Sequence, residues 1–355
     1  MRSSVWRRVR LGAYAVLTLT ACDAGSTAPP PPPLPPLSDP AAVSAAILAI
    51  DSAFGTPAIQ SLALTGALMT VGPAPAAASA AATPAACAAT PASPPAAAGS
   101  PLFPAGVIPD SLLRRVFVYD TVARAYRPSS AASGPPSGVR FLLYGLDPVY
   151  PQLAMPLTTI GWLDLSDASY VGGGLALRAG VVNGTAANAD YVVSPLGTRS
   201  SYTAHLTGTV ASSTRVFTVR DSTAVEFVQT SISASVTDST HDLSLRLIAS
   251  RDTIDAYDNY YEFDFMLTHG TEQIRLVGDI QQYCNIPSIG ATFSVNGADF
   301  AAVTNGTSGP VAARVDGQPL TPEQQAAIFD MLFGQQRLFL RLAALLTPVR
   351  QFLAP

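Results

Sequence analysis

The chain has 355 residues, of which 48% are hydrophobic and only 12% are charged, and its 20 basic residues face 24 acidic ones. Every basic residue is an arginine, and the formal net charge is −4. This balance, with no arginine-rich run in the body of the chain, argues against a nucleic-acid partner, because phosphate contacts need clustered positive charge. Mean hydropathy is +0.29, yet beyond the N-terminal segment no apolar run reaches the roughly 20 residues that a membrane-spanning helix needs.

The first 21 residues have the layout of a secretory signal peptide. Four arginines lie within the first ten residues, a short apolar run follows at 11–20, and a small residue, Ala21, precedes Cys22. An apolar run of this length is too short to span a membrane and is typical of a signal that is removed on export. We therefore predict a signal peptide at 1–21 and an exported protein.

The segment Leu19-Thr20-Ala21-Cys22 resembles the lipobox of bacterial lipoprotein precursors. The resemblance covers residues 1–22 and implies that Cys22 is acylated, becomes the first mature residue and holds the chain on an envelope membrane. Each buried CH₂ group contributes about 0.8 kcal/mol, so two or three acyl chains give durable anchoring. The alternative is an ordinary cleaved signal in which Cys22 is incidental. Asp23 resembles the inner-membrane retention signal of enterobacterial lipoproteins, but other bacteria need not read it, so the choice of membrane stays open.

Lipidation of Cys22 would leave Cys87 and Cys284 as the two candidates for a disulfide. An exported protein reaches an oxidising compartment, where disulfides persist. The bridge would close a long loop and tie a low-complexity segment to the rest of the protein. Because the sequence does not supply the Cα separation that the bond requires, the bonded and the free states both stay open.

Three segments separate the anchor from the first predicted strand. Residues 22–38 form a proline-rich tether, extended as polyproline II at about 3.1 Å per residue. Residues 39–71 carry two helix starts, Asp39-Pro40 and Thr56-Pro57, each followed by apolar residues at three- and four-residue spacing. Residues 72–104 are rich in Ala, Pro and Ser and lack the branched and aromatic side chains that offset ordering entropy, which predicts a disordered loop.

Residues 105–318 follow the period-two pattern of β-strands. The clearest alternation of apolar and polar residues runs through three consecutive segments, 242–250, 260–268 and 274–280. Asn183-Gly184 and Asn296-Gly297 are strong signals of two-residue hairpin turns. We expect about a dozen strands joined mainly by short turns, an arrangement that favours an antiparallel meander.

Residues 319–355 form a C-terminal helical segment that packs on the β domain. Thr321 and Gln324 have the spacing of a capping box, in which each side chain accepts from the other residue's backbone N–H. The segment is apolar around most of its circumference, as in a helix that is buried or holds a partner. Gly334 is a predicted break in this helix, and Pro348 its predicted end.

These elements predict a mainly β fold: an antiparallel meander that forms a strongly curved sheet or an incomplete barrel, with apolar helices at the N- and C-terminal ends. A two-sheet β-sandwich is the alternative. The layout is similar, in architecture only, to the half-barrel lipoprotein carriers and receptors of the bacterial envelope. No motif of theirs is present, and fold alone does not give function.

The sequence predicts no catalytic residue and no cofactor. Gly-x-Ser-x-Gly, His-Glu-x-x-His and the phosphate-binding Gly-x-x-x-x-Gly-Lys loop are absent, and without lysine there is no Schiff base. Asp252, Asp255 and Asp258 lie in one loop between strands and could hold Ca²⁺ through carboxylate oxygens. Their spacing is not that of the calcium loop with ligands at alternate positions, so a solvated acidic hairpin tip is the favoured alternative.

Two further groups have a structural interpretation that we prefer to a functional one. Three imidazoles could bind zinc, but they lie on three separate segments: His205, His241 and His269. We interpret them as surface residues and predict no metal site. An aromatic patch could line a lipid or glycan site but is more typical of a sheet core and its rim: Tyr257, Tyr260, Tyr261, Phe263 and Phe265.

The sequence thus predicts a lipid-anchored envelope protein without enzymatic activity. The leading hypothesis is that its curved sheet and terminal helices bind an apolar ligand or a partner protein. The alternatives are a structural or assembly lipoprotein with a filled core and, third, a hydrolase with a site assembled from dispersed Asp, His and Tyr residues.

Overall fold

The computed structural model describes ten segments of the chain. These are residues 37–68, 108–130, 133–149, 152–169, 175–198, 201–226, 229–253, 259–283, 286–307 and 309–350. The predicted signal peptide (1–21), nearly all of the tether (22–38), the low-complexity loop (72–104) and all three cysteines lie outside the described residues. The predictions on them therefore stay predictions.

The described residues form three α-helices and fifteen β-strands. The helices are α1 (Pro40–Phe54), α2 (Pro57–Leu68) and α3 (Pro322–Arg350). The strands are β1 (Val116–Asp120), β2 (Ala125–Ser129), β3 (Gly138–Tyr144), β4 (Thr159–Asp167), β5 (Leu177–Asn183), β6 (Ala186–Gly197), β7 (Ser201–Ala211), β8 (Val216–Glu226), β9 (Gln229–Asp238), β10 (Leu243–Thr253), β11 (Asn259–His269), β12 (Glu272–Tyr283), β13 (Ile286–Val295), β14 (Ala298–Gly306) and β15 (Gly309–Arg314).

All fifteen strands belong to one sheet, in the order β15 to β3 followed by β1 and β2, and the sheet does not close into a barrel. The predicted antiparallel meander with helices at both ends is confirmed, and a single sheet replaces the alternative of a two-sheet sandwich. The first hairpin departs from the meander: β1 pairs with β3 in parallel, at Phe117 beside Phe141, and places β2 at the edge. The rings of Phe117 and Phe141 stack with centroids 4.7 Å apart, which favours this register.

The predicted helix caps and the predicted Asn296-Gly297 turn are present. Asn296-Gly297 joins β13 to β14 with positive φ at both residues, whereas β5 and β6 turn at Gly184-Thr185, one residue after the predicted Asn183-Gly184, because Asn183 pairs with Ala186. Asp39 Oδ1 accepts from the Ala42 N–H at 2.9 Å at the start of α1. In the capping box, Thr321 N–H donates to Gln324 Oε1 at 3.0 Å and Gln324 N–H to Thr321 Oγ1 at 3.2 Å. These local signals depend on neighbouring residues alone, which is why they are readable from sequence.

The sheet has one apolar and one polar face because its strands alternate. On β10, Leu243, Leu245 and Leu247 are buried, and on β11 so are Phe263 and Phe265. Their sequence neighbours point to the other face, which we call the outer face and which carries Ser, Thr and charged side chains. The inner, apolar face packs against the three helices, so the hydrophobic core lies between the helix layer and the sheet.

Helix α3 is continuous over 29 residues, so both interruptions predicted for it are wrong. Gly334 does not break the helix but serves as its point of close approach to α1, since a Cβ there would lie 2.5 Å from Ile47 Cγ2. Pro348 lies inside the helix, near its end. The last turn of α3 packs closely against α2: a Cβ on Gly66 of α2 would lie 2.8 Å from the backbone carbon of Thr347.

A charged contact accompanies the α1–α3 packing. Arg337 Nε donates to Asp51 Oδ1 at 3.0 Å, and Arg341 Nη1 donates both to the same carboxylate and, at 2.6 Å, to the Asp51 backbone oxygen. The Asp51 and Arg341 side chains are 24% and 17% exposed. At this burial each charge needs its partner, because a charge left alone in a half-buried site costs several kcal/mol.

We expect Gly334→Val to lower the free energy of unfolding by about 1–3 kcal/mol, although valine is the better helix former. The added side chain would collide with Ile47 at the α1–α3 contact. Urea unfolding of the single variant and of Gly334→Val/Ile47→Ala measures the effect. The second substitution should recover part of the loss, because it opens the space that the valine needs. Gln336→Val, at an exposed position on the same helix, is the matched control, and a neutral or stabilising Gly334→Val would contradict the close approach.

Candidate functional site

The inner side of the sheet is filled by the protein's own side chains. Between α1, α3 and the sheet lies a cavity of about 10 Å³, bordered by Ile47, Phe54, Leu245, Phe265 and Leu338. A cavity of this size holds one water molecule at most. This cavity therefore has no room for an acyl chain.

The predicted calcium ligands are only partly described. Asp252 lies near the end of β10, whereas Asp255 and Asp258 fall outside the described residues. Among the described atoms, Asp252 Oδ1 is buried and has no hydrogen-bond partner. The calcium site stays a prediction, since two of its three carboxylates lie outside the described residues.

The three histidines lie in three different places. His205 is on the outer face of β7, His241 is in the turn before β10, and His269 ends β11. His241 Nδ1 lies 2.7 Å from Oδ2 of Asp238, a buried carboxylate. No group of three or more His, Cys, Asp or Glu side chains could hold a metal ion among the residues that the structure describes.

The aromatic patch is divided between the two faces of the sheet. Tyr261, Phe263 and Phe265 are buried on the inner face, as the core interpretation predicts. The Tyr261 hydroxyl donates to the side-chain oxygen of Gln335 on α3, so it links the sheet to the helix layer. Tyr260 points the other way and donates to Glu262 Oε1 at 2.6 Å. Tyr257 lies outside the described residues.

One carboxylate in the core lacks a complete set of partners. Asp221 on β8 is 5% exposed, and its Oδ2 accepts from the Thr223 hydroxyl at 2.7 Å. Its Oδ1 has no hydrogen-bond partner in the described structure. Burial raises the pKa of Asp221 to about 6, against the opposing effect of the Thr223 hydrogen bond. Asp221 therefore changes its charge within the physiological pH range.

Two shallow concavities of different charge lie on the described part of the outer face. The smaller, of about 310 Å³, includes Arg178 and Asp190, which form a two-bond ion pair at 2.8 and 2.5 Å. The larger, of about 540 Å³, lies across β7 to β10, and we call it the outer groove. It contains Arg220, Arg246 and His205. Its hydroxyl side chains are Thr207, Ser222, Ser233, Ser235, Thr237 and Ser244.

The helix layer carries a short apolar stripe on the side turned away from the sheet. Phe333 is 40% and Leu340 49% exposed, and the ring of the half-buried Phe329 lies 6.3 Å from that of Phe333. At about 3.6 residues per turn, these three side chains fall within about 40° around the helix axis. We call Phe329, Phe333 and Leu340 the α3 stripe.

Sequence reasoning missed the outer groove and Asp221, but a signal for each was present. On β8, Phe217 and Val219 set the inner face, and the same alternation places Asp221 inside and Arg220 outside. What the sequence does not give is the register between strands. That register puts Arg220 and Arg246 opposite the same residue, Ser235.

No single described helix is long and apolar enough to cross a membrane. Helices α1 and α2 satisfy length and composition only as a pair, and they meet at a bend of 52°. No protein-family model, curated protein or solved structure matches the chain.

We expect Asp221→Asn to remove a pH-dependent loss of stability. Below about pH 4 the Asp221 carboxyl is protonated in both the folded and the unfolded state, so it does not lower the free energy of unfolding. Between about pH 4 and pH 6 Asp221 loses its proton in the unfolded chain before it does so in the folded protein, so the free energy of unfolding falls as pH rises. Above pH 6 Asp221 is ionised in both states, and the whole of this loss in stability remains. Relative to the variant, the native protein should lose up to about 3 kcal/mol over this range in urea unfolding.

Asp238→Asn is the matched control, because Asp238 is equally buried but partnered. Its carboxylate accepts from Thr240 N–H at 3.1 Å and lies near His241 and Arg215. Its removal should lower stability at neutral pH, because it leaves these partners unsatisfied. If Asp221→Asn were less stable than the native protein at pH 7, the assignment of a buried, incompletely partnered carboxylate would be wrong.

Proposed function

We propose that this protein is a lipid-anchored component of the bacterial cell envelope that acts without catalysis, through contact of its surface with another protein. The observation that carries the proposal is the packed core: the inner-face side chains are buried, and the cavity between α1, α3 and the sheet measures about 10 Å³. Of the alternatives that the sequence leaves open, a filled core favours the structural or assembly protein over the carrier of an apolar ligand.

The anchor in this proposal rests on the sequence. The arginine-rich start, the apolar run and the resemblance of Leu19-Thr20-Ala21-Cys22 to a lipobox support lipidation of Cys22. The described fold begins with the last two residues of the tether, the buried Leu37 and Ser38, whose N–H donates to Glu272 Oε1 at 3.0 Å. The domain would thus be held within the length of a proline-rich tether from the membrane.

The α3 stripe supports a protein as the partner. Exposed apolar side chains in a row are typical of an interaction surface. Glu323 and Asp330 lie on the same helix, near the stripe's N-terminal end. Acidic side chains there disfavour an anionic membrane surface and favour a partner with an apolar contact surface and a basic rim.

We expect Cys22→Ser to release the protein from the membrane fraction, since it removes the acylated thiol. Cell fractionation and metabolic labelling with a fatty acid measure the change. Cys87→Ser is the matched control and should stay membrane-bound and labelled. A Cys22→Ser protein that keeps its lipid label would show that the anchor has been placed on the wrong residue.

We expect the α3 stripe to be covered in the native envelope. Covalent footprinting with mass spectrometry would compare labelling of Phe333 in three states: detergent-purified full chain, full chain in protein-free vesicles of envelope lipids, and intact envelopes. Phe333 should be labelled in the first two and protected in the third. Leu196, 77% exposed at the end of β6, is the control position and should be labelled in all three.

Two results would overturn the partner assignment. Protection of Phe333 in protein-free vesicles would identify the membrane, not a protein, as the occupant of the stripe. Equal labelling of Phe333 in all three states would show that the stripe has no occupant.

A further inference from the structure

We propose that the outer groove binds an acidic oligosaccharide, with Arg220 and Arg246 as the residues that hold its anionic groups. The groove lies on the outer face of the sheet, which the helix layer does not cover. The inference goes beyond the proposed contact with a partner protein and does not depend on it. It rests on the charge, the spacing and the hydroxyl content of the groove.

The charge of the groove differs from that of its surroundings. Elsewhere on the outer face, Arg140, Arg178 and Arg275 each make a two-bond ion pair with an aspartate of the neighbouring strand. Within the described residues, neither Arg220 nor Arg246 has a carboxylate or hydrogen-bond partner, and both are exposed. The protein is acidic as a whole, so an uncompensated pair of guanidinium groups in a concavity is a local exception that attracts anions.

The strand register fixes the spacing of the two arginines. Arg220 on β8 lies directly opposite Ser235 on β9, and Ser235 lies directly opposite Arg246 on β10. The two Cα atoms are thus separated by two strand spacings, about 10 Å. A ligand that engages both arginines must carry two anionic groups at some distance from each other, with a hydroxyl-binding position between them.

The remaining groups of the groove select among anionic ligands. Arg binds carboxylate and phosphate through two parallel hydrogen bonds. The surrounding serine and threonine hydroxyls both donate and accept, which suits a ligand that carries hydroxyl groups as well as acids. No Phe, Tyr or Trp side chain lines the groove among the described residues, which disfavours a single-stranded nucleic acid, because such ligands stack successive bases on large aromatic rings. The open shape suits an extended chain.

The Asp221 carboxylate does not reach the surface of the groove, where it would repel an anionic ligand. Although Asp221 borders the groove along the backbone of β8, its side chain is buried and bonded to Thr223, which is also buried. The side chains that face solvent in the described groove therefore carry positive charge and hydroxyls without a carboxylate.

Titration calorimetry of the purified full chain with a short oligogalacturonate tests the proposal. Binding should weaken as salt rises, because the contacts are exposed ion pairs. Arg220→Gln and Arg246→Gln should each lower the affinity about tenfold or more, as expected for the loss of a charge-assisted hydrogen bond. Arg178→Gln is the matched control: it removes the same charge from the neighbouring concavity and should leave the affinity unchanged.

Three results would overturn the proposal. A malto-oligosaccharide of the same length that binds equally well would show that the acidic groups are not recognised. Equal loss of affinity in Arg178→Gln would show that the attraction is a general effect of charge. Binding to vesicles that contain phosphatidylglycerol, without binding to oligogalacturonate, would assign the groove to a lipid headgroup instead. Arg220 and Arg246 are exposed and unpaired within the described structure, so circular dichroism should show native folding of both variants.

Discussion

The fold depends on covering the apolar face of one very long sheet. Among the described residues, fifteen strands in one sheet leave an inner face of Leu, Phe, Val and Ile side chains that no second sheet covers. The cover comes from both ends of the described chain, because α1 and α2 precede all strands and α3 follows them. A sheet closed into a narrow barrel could fill its own interior, whereas this open sheet requires the helices. The contacts that join α1 to α3, Gly334 against Ile47 and Asp51 between two arginines, therefore hold together the layer on which the whole sheet packs.

Because side chains pack the described core, the candidate binding sites lie on the surface of the protein. Polar groups inside the fold are engaged in holding the layers together: Tyr191 donates to the Leu345 backbone oxygen at 2.8 Å, and Tyr261 donates to Gln335. Such bonds orient α3 on the sheet, because a buried hydroxyl without a partner would cost more than the bond contributes. The two surfaces that carry the proposals, the α3 stripe and the outer groove, lie on opposite sides of the sheet. One protein could thus contact a partner through its helices while its sheet faces a polymer.

The sequence predicts the elements of this fold better than their arrangement. Caps such as Thr321 with Gln324, and turns such as Asn296-Gly297, are set by adjacent residues and are readable directly. Strand alternation predicts which side chains share a face. The parallel pairing of β1 with β3 is not readable, because it depends on Phe117 meeting Phe141 across an intervening hairpin. The prediction at Gly334 is wrong because it, too, depends on a contact between distant residues. A glycine in a helical pattern indicates a break, and only the tertiary structure shows that α1 packs against this position. The outer groove likewise requires the register of four strands.

The unpaired arginines of the outer groove also separate stability from function. A cross-strand pair such as Arg275 with Asp264 contributes roughly 0.2–1 kcal/mol to the sheet, so the fold itself gives a reason for those residues. Arg220 and Arg246 make no such contact in the described structure, and two like charges about 10 Å apart contribute no stabilisation to the sheet. Stability alone would therefore favour neutral residues at both positions. The threonines and serines around them show that neutral polar side chains fit the same strands. A ligand that supplies the missing negative charge is the physical reason that accounts for both arginines together.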